Sequence, residues 1–342
     1  MASSRLQASD GQAPVGGTSS RRLQWMDVLR GTAMAALLLW HASSIPSLYS
    51  DIPAPDWLMV INSALSPYRM PTLMMLSGML LHRSLSKPLG EFYLGKIRTL
   101  LWPYGVWAVI LLAIQGRLDS ITRPQDWIPV TYIWFLLFVF LYYCAAPLLK
   151  KVPAELVVLT ALVLSIVIAD RGFISKFVLF SAYFYLGYLI NGKRPALHGH
   201  IQRAAIPLAV LSVVLLVLVG TENPLVLRAI SVTGVLGFIG LCSRWYRPSR
   251  PSGVVESVGR SSIVYYLAHF PVMVGVTSAL DAFGVQSAGV HIALGLTIAA
   301  LLCAVLARGQ RLPVVRLLFS LPALRSRRDQ TSPAQSRSPQ GA

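Results

Sequence analysis

Charge is scarce in this chain, and acidic charge is scarcest. Of 342 residues only 13% are charged, with 13 Asp and Glu against 30 Lys and Arg. A soluble globule carries about 25% charged residues, so a soluble fold is excluded and lipid is the expected main solvent. Cysteine is also sparse: Cys144, Cys242 and Cys303 lie far apart inside apolar runs, a pattern of neither a disulfide framework nor a metal set. They are expected as packing residues. His82, His198 and His200 are expected in cytoplasmic loops and His291 near the outer interface, all four as solvated histidines. No zinc-like spacing surrounds them, so no metal site is expected. The first 20 residues lack an apolar h-region, so no cleavable signal peptide is expected. An internal repeat or a matched pair of broken helices, of the kind that builds many transporters, is also lacking.

Apolar sequence is what the chain has: 55% of residues are hydrophobic and the mean hydropathy is +0.61. A membrane-crossing helix needs about 20 such residues. Ten segments approach that length, at 25–45, 57–81, 99–115, 128–149, 153–169, 173–190, 204–220, 224–242, 261–281 and 287–307. The expected fold is all-α, a polytopic integral membrane protein of about ten transmembrane helices in the lipid bilayer of the inner or plasma membrane.

The formal net charge of +17 does not indicate nucleic acid, because the basic residues sit in short clusters between apolar runs and not on one solvated face. They order the topology instead. One alternating set of connections, with the two ends of the chain, holds 23 of the 30 Lys and Arg; the other holds only Arg117, Arg123, Arg171, Lys176 and Arg228. Positive residues stay cytoplasmic, so ten spans with both termini cytoplasmic are expected. Residues 1–21 read as a disordered cytoplasmic tail, 22–308 as the membrane domain, and 309–342 as a basic cytoplasmic C-terminal tail.

Ionisable side chains inside a span cost about 2.5–3.5 kcal/mol on insertion scales and so point to function. The first span holds Asp27, Arg30 and His41. At about 100° per residue these three fall on one narrow face, with His41 about 16 Å beyond Arg30 along the axis. Asp27 and Arg30 can pair at i, i+3. The second span carries Arg69 near mid-membrane, two residues before Pro71, where a lipid-facing arginine is untenable and a polar cavity or a structural partner is required. In the ninth span Ser262, Tyr265, Tyr266 and His269 form one polar stripe, a pattern that also serves plain interhelical hydrogen bonding.

Together these segments resemble the acyltransferase-3 family of membrane acyltransferases, over about residues 22–308. The stretch from Met26-Asp27 through Arg30-Gly31 to His41 is similar to the family's opening signature, and Tyr68-Arg69-Met70-Pro71 through Leu76-Ser77-Gly78 to its Met-Pro-Leu-Phe-Phe-Phe-Leu-Ser-Gly segment. Tyr93, Lys96, Arg98, Leu100 to Tyr104, Trp134 to Leu136, Phe184 to Tyr188, and Ser262 through Tyr266 to His269 continue the likeness. Where many members carry an Arg-x-x-Arg pair before the third helix, this chain has Lys96-Ile97-Arg98.

The resemblance implies transfer of an acyl group, most often acetyl from acetyl-CoA, onto a hydroxyl of a carbohydrate or glycolipid of the cell envelope. It implies no bound cofactor, with acyl-CoA as donor substrate. Lys96 and Arg98 are expected to pair with the donor's phosphates, and Arg30, held by Asp27, to steer it. His41 is the expected base, since an unperturbed imidazole titrates near pH 6.5. Arg69 is expected to stabilise negative charge on the thioester oxygen or to hold the pantetheine arm, and Ser262, Tyr266 and His269 to form the opposite wall. The competing reading is a transporter or flippase for an envelope lipid or saccharide. It would use the same polar cavity without a donor site, and the lack of a repeat counts against it.

Overall fold

The computed structural model describes residues 17–123, 127 and 131–322. Most of both expected tails, 1–16 and 323–342, lies outside the described residues. Every regular element among the described residues is a helix: α1 (Gly17–Tyr49), α2 (Asp56–Met79), α3 (Leu81–Leu85), α4 (Leu89–Lys96), α5 (Trp102–Ile114), α6 (Trp134–Leu149), α7 (Ala154–Val167), α8 (Phe173–Tyr188), α9 (Pro195–Arg203), α10 (Ala205–Leu218), α11 (Pro224–Trp245), α12 (Arg250–Arg260), α13 (Ser262–Ala282), α14 (Ala288–Gly309) and α15 (Pro313–Leu317). A wider π-type turn, Ile97–Leu101, joins α4 to α5.

Helix occupies each of the ten expected segments. By length and apolar composition, six described helices suffice to cross a membrane, or seven if α9 and α10, bent by 67° between them, make one broken span. The others fall short for visible reasons. Arg69, Asn62, Pro67 and Pro71 dilute α2, while α6 and α7 have 16 and 14 residues.

Local chemistry sets the helix limits. Pro53 and Pro55 follow the end of α1. Asn223 caps α11 by accepting the Leu225 N–H at 2.9 Å, and Pro224 takes the first helical position, where its missing N–H costs nothing. Ser249 and Ser252 form a reciprocal capping box at α12.

Lipid rather than water is the outer solvent. On α7, Leu156, Leu159, Val163 and Val167 are exposed while Ala154, Val158, Ala161 and Ser165 are buried. Large apolar groups outward and small ones inward is the pattern of a membrane helix. On α10, Ile206, Val210, Val213 and Val217 repeat the outward face against buried Ala205 and Ser212.

Helix α1 is central, packing on α2, α11, α12, α13 and α14; α2 in turn packs on α8. Glycines permit the closest crossings. A Cβ on Gly78 would lie 1.7 Å from the Phe184 carbonyl oxygen, and one on Gly187 2.1 Å from that of Met75. Likewise Gly31 meets Val255 and Gly259 meets Asp27, at 2.0 and 1.7 Å from their carbonyl oxygens. Helix backbone cannot yield there, so Gly78→Ala is expected to cost about 1–3 kcal/mol by overpacking. Gly90→Ala, with nothing within 4 Å of the added Cβ, is the control. Thermal unfolding in detergent compares them, and equal melting would refute the close packing of α2 on α8.

Two sequence readings need correction. His291 is not solvated; it is 1% exposed and its Nε2 lies 2.8 Å from the Val285 carbonyl, tying the loop before α14 to the helix. The basic connection between Arg244 and Arg260 is no simple loop, because α12 occupies most of it and packs along α1.

Candidate active site

A cavity of about 850 Å³ opens among α1, α2, α6, α8, α11 and α13. His41, from α1, and Arg69, from α2, both line it, with Trp40, Tyr132 and Tyr266. Arg69 is only 7% exposed, its guanidinium carbon sits 5.0 Å from the Trp40 ring centroid, and its Nη1 has no hydrogen-bond partner among the described residues. An arginine this deep, with no carboxylate partner among the described residues, is an unneutralised positive charge facing the space beside His41. Trp40 offers it a cation–π contact, which explains why a tryptophan precedes the histidine.

The wall behind His41 is aromatic and rigid. His41 lies 5.0 Å, centroid to centroid, from His269, 5.3 Å from Phe270 and 6.0 Å from Tyr132. The Tyr266 hydroxyl donates to the Tyr132 carbonyl, and the Tyr132 hydroxyl to the Leu267 carbonyl. These two bonds staple residue 132 to α13 and commit both hydroxyl protons.

His269 is fully buried and does not line the cavity. Its Nδ1 lies 2.7 Å from the Tyr265 carbonyl oxygen. A carbonyl only accepts, so Nδ1 carries the proton and, in the neutral ring, Nε2 bears the lone pair. That Nε2 is buried with no partner among the described residues. His269 therefore stands behind His41, whereas the sequence reading put it on the substrate wall. Ser262, two turns earlier on α13, also lies outside the cavity lining.

At the other end of α1, Arg30 Nη1 pairs with Asp27 Oδ1 at 3.2 Å and Nη2 donates to the Leu76 carbonyl at 3.3 Å. Helix α12 adds the Glu256–Arg260 ion pair nearby. Lys96 turns inward, donating to Ser84 Oγ at 3.0 Å with Nζ 3.5 Å from the Tyr143 ring centroid. Arg30 and Lys96 thus flank Tyr143. Arg98 turns away from Lys96: its Nε donates to the Leu321 carbonyl at 3.1 Å, and the Leu321 N–H returns a bond to the Arg98 carbonyl. Trp102 and Trp107 bind the neighbouring carbonyls of Leu317 and Leu318. Residues 313–322, at the start of the expected basic tail, are thereby docked on the π-type turn and α5.

The expected site residues fall into three groups. His41, Arg69 and Tyr266 line the cavity with His269 behind them; Asp27, Arg30 and Lys96 gather at the far end of α1; Ser262 and Arg98 join neither. Two cations in the cavity wall, Lys176 and Arg228, and the Tyr132 staple were not singled out from sequence. The available signal for the cations was that they belong to the few positive residues on the sparsely charged side.

A helical bundle with lipid-facing flanks and an internal aromatic cavity defines a multi-pass membrane protein with a built polar site. The family described as an acyltransferase domain, acyltransferase-3, matches residues 23–309, and the chain belongs to that family. It is a membrane acyltransferase. No curated protein and no solved structure gives a significant match.

Proposed function

We propose that this acyltransferase moves an acyl group, acetyl in the simplest case, from cytoplasmic acyl-CoA onto a hydroxyl of an envelope carbohydrate or glycolipid held in the cavity. The observation that carries the reading is the buried, uncompensated Arg69 beside His41 in one cavity. Ten spans with both termini cytoplasmic accord with the Lys and Arg distribution. Asp27, Arg30 and Lys96 then stand at the cytoplasmic end and receive the donor, whose linear pantetheine arm reaches along α1 toward His41.

In the direct route the acceptor oxygen attacks the thioester carbonyl while His41 takes its proton. The carbonyl electron pair moves to oxygen, where Arg69 meets the developing charge. Collapse breaks the carbon–sulfur bond, and the departing thiolate takes the proton back from the His41 imidazolium, giving ester and free thiol. A route through an acyl-histidine needs the same side chain. The lone pair on His269 Nε2 is suited to accept an N–H from His41. The Tyr132 and Tyr266 hydroxyl protons are committed elsewhere. Such a bond would select the His41 tautomer that keeps its other nitrogen basic toward the cavity.

His269→Phe, which removes the acceptor, is therefore expected to lower kcat up to about 100-fold, the scale of a misplaced catalytic group, with KM for acyl-CoA unchanged. His269→Gln, whose amide oxygen can accept the same N–H, should recover part of the loss. A Gln variant no better than Phe would remove the positioning role. The transferase reading itself is tested by thiol release from acetyl-CoA by the purified protein in nanodiscs with an envelope extract. Release dependent on the extract is expected; its absence with acetyl and longer acyl donors would contradict the reading.

A further inference from the structure

We infer that the acceptor is a saccharide bearing an anionic group, a carboxylate or a phosphate, and that Arg228 and Lys176 hold that group at the outer part of the cavity. The inference rests on the transferase reading of the same cavity and names the chemical class of its acceptor. Three cations line the cavity, Arg69, Lys176 and Arg228, and among the described residues no Asp or Glu does. The ion pairs among the described residues that bear on this are Asp27–Arg30, Asp119–Arg123, Glu155–Arg194 and Glu256–Arg260. None of them involves a cavity cation. Three positive charges thus share one space with no carboxylate among the described residues to balance them, in a chain whose acidic residues number only 13.

Arg228 is prepared as an anion receptor. Its Nε and Nη2 donate to Ser165 Oγ and the Ser165 carbonyl at 3.1 and 2.7 Å, and Nη1 to the Pro224 carbonyl at 2.7 Å. These acceptors are all neutral. They fix the guanidinium's position and leave both its charge and its two remaining N–H groups unused. Helix direction reinforces the sign. Lys176 lies in the first turn of α8, which starts at Phe173, and Arg228 in the second turn of α11, which starts at Pro224. A cation near a helix N-terminus opposes the macrodipole, where an anion would be favoured. The effect is confined to the first turn, so Lys176 is the local conflict on this cavity wall, and such a conflict points to function rather than stability.

The side of the membrane separates this anion from the donor. Lys176 and Arg228 are two of only five Lys and Arg on the sparsely charged side, opposite the basic face where a cytosolic donor arrives. The wall between them and His41 favours a sugar over a bare headgroup. Trp40 and Trp134 present flat amphipathic faces, with the more deeply buried Tyr183 and Ser231 beside them, suited to the C–H face and hydroxyls of a pyranose.

The full-length protein in phosphatidylcholine nanodiscs, without acyl donor, tests this through its intrinsic tryptophan fluorescence, to which Trp40 and Trp134 contribute from the cavity wall. The ligands are an oligogalacturonide, glucose 6-phosphate and neutral maltotetraose. At least one anionic sugar should bind tenfold or more tightly than maltotetraose, and which one binds separates carboxylate from phosphate. Lys176→Gln, at an exposed position, and Arg228→Gln should each reduce that preference. The lysine variant keeps the test decisive if loss of the Ser165 bonds unfolds the arginine variant. No binding by either anionic sugar, equal binding of the neutral one, or a preference untouched by Lys176→Gln would overturn the inference. So would a response produced only by replacing phosphatidylcholine with phosphatidylglycerol, which would assign the cations to lipid headgroups. Because no turnover is read, a failed transferase assay leaves this result interpretable, and transfer to neutral sugars alone would overturn this inference while sparing the transferase.

Discussion

His41→Ala is expected to reduce acyl transfer by about 10²–10⁴-fold, the range general acid–base catalysis contributes, while leaving donor binding intact. The separation of roles follows from α1. Arg30 lies about 16 Å and Asp27 about 21 Å from His41 at 1.5 Å per residue, and their ion pair and the Leu76 contact involve no part of the histidine. His41 makes no described hydrogen bond of its own; its neighbours are the rings of His269, Phe270 and Tyr132. The variant should therefore fold, bind acyl-CoA with wild-type affinity, and release thiol at the background rate. Binding calorimetry beside a thiol-release assay separates these effects. A variant with weakened donor binding and undiminished kcat would move His41 from the chemistry to the donor site.

Arg69→Gln should lower kcat by about 10²–10³-fold, the usual cost of losing a donor that meets a transition-state oxyanion. The stability prediction has the opposite sign. A buried guanidinium with an unpartnered Nη1 is a burden to the fold, and the neutral amide removes a charge from the bundle interior. The melting temperature in detergent should stay level or rise while activity falls, as at other strained functional sites. Arg69→Lys should not restore activity, because an ammonium lacks the planar fork and stacks less well on Trp40. If Arg69→Gln instead unfolds the protein, Arg69 is a structural partner and not a cavity cation.

Much of the fold could be read from the chain because lipid imposes a simple rule: apolar runs become helices. All ten expected segments carry helix, and the Asp27–Arg30 pair follows from their i, i+3 spacing. Helix α12 escaped because Arg244, Arg247, Arg250 and Arg260 make its segment look like a basic loop. Its Ser249 cap and Gly259 were the available signals, and only the packing on α1 gave them meaning. Lys96 and Arg98 looked like a joint phosphate clamp, yet residues two apart on a helix point about 200° apart, so one enters the bundle and the other binds Leu321. The pairing of His41 with His269 joins helices 228 positions apart in sequence, and no local pattern encodes such a contact. The unneutralised charge of Arg69 was legible as a problem; its solution on Trp40 was not.

As proposed, the acyl group leaves CoA on the face of the basic loops and reaches a hydroxyl held in the cavity on the opposite side. Sealed proteoliposomes of known protein orientation, given radiolabelled acetyl-CoA on one face and an envelope saccharide extract on the other, test it most directly. Labelled saccharide is expected only when the donor is on the face carrying Lys96 and the loops around it, with no label for His41→Ala. Equal labelling from either face, or labelling that survives loss of His41, would contradict it.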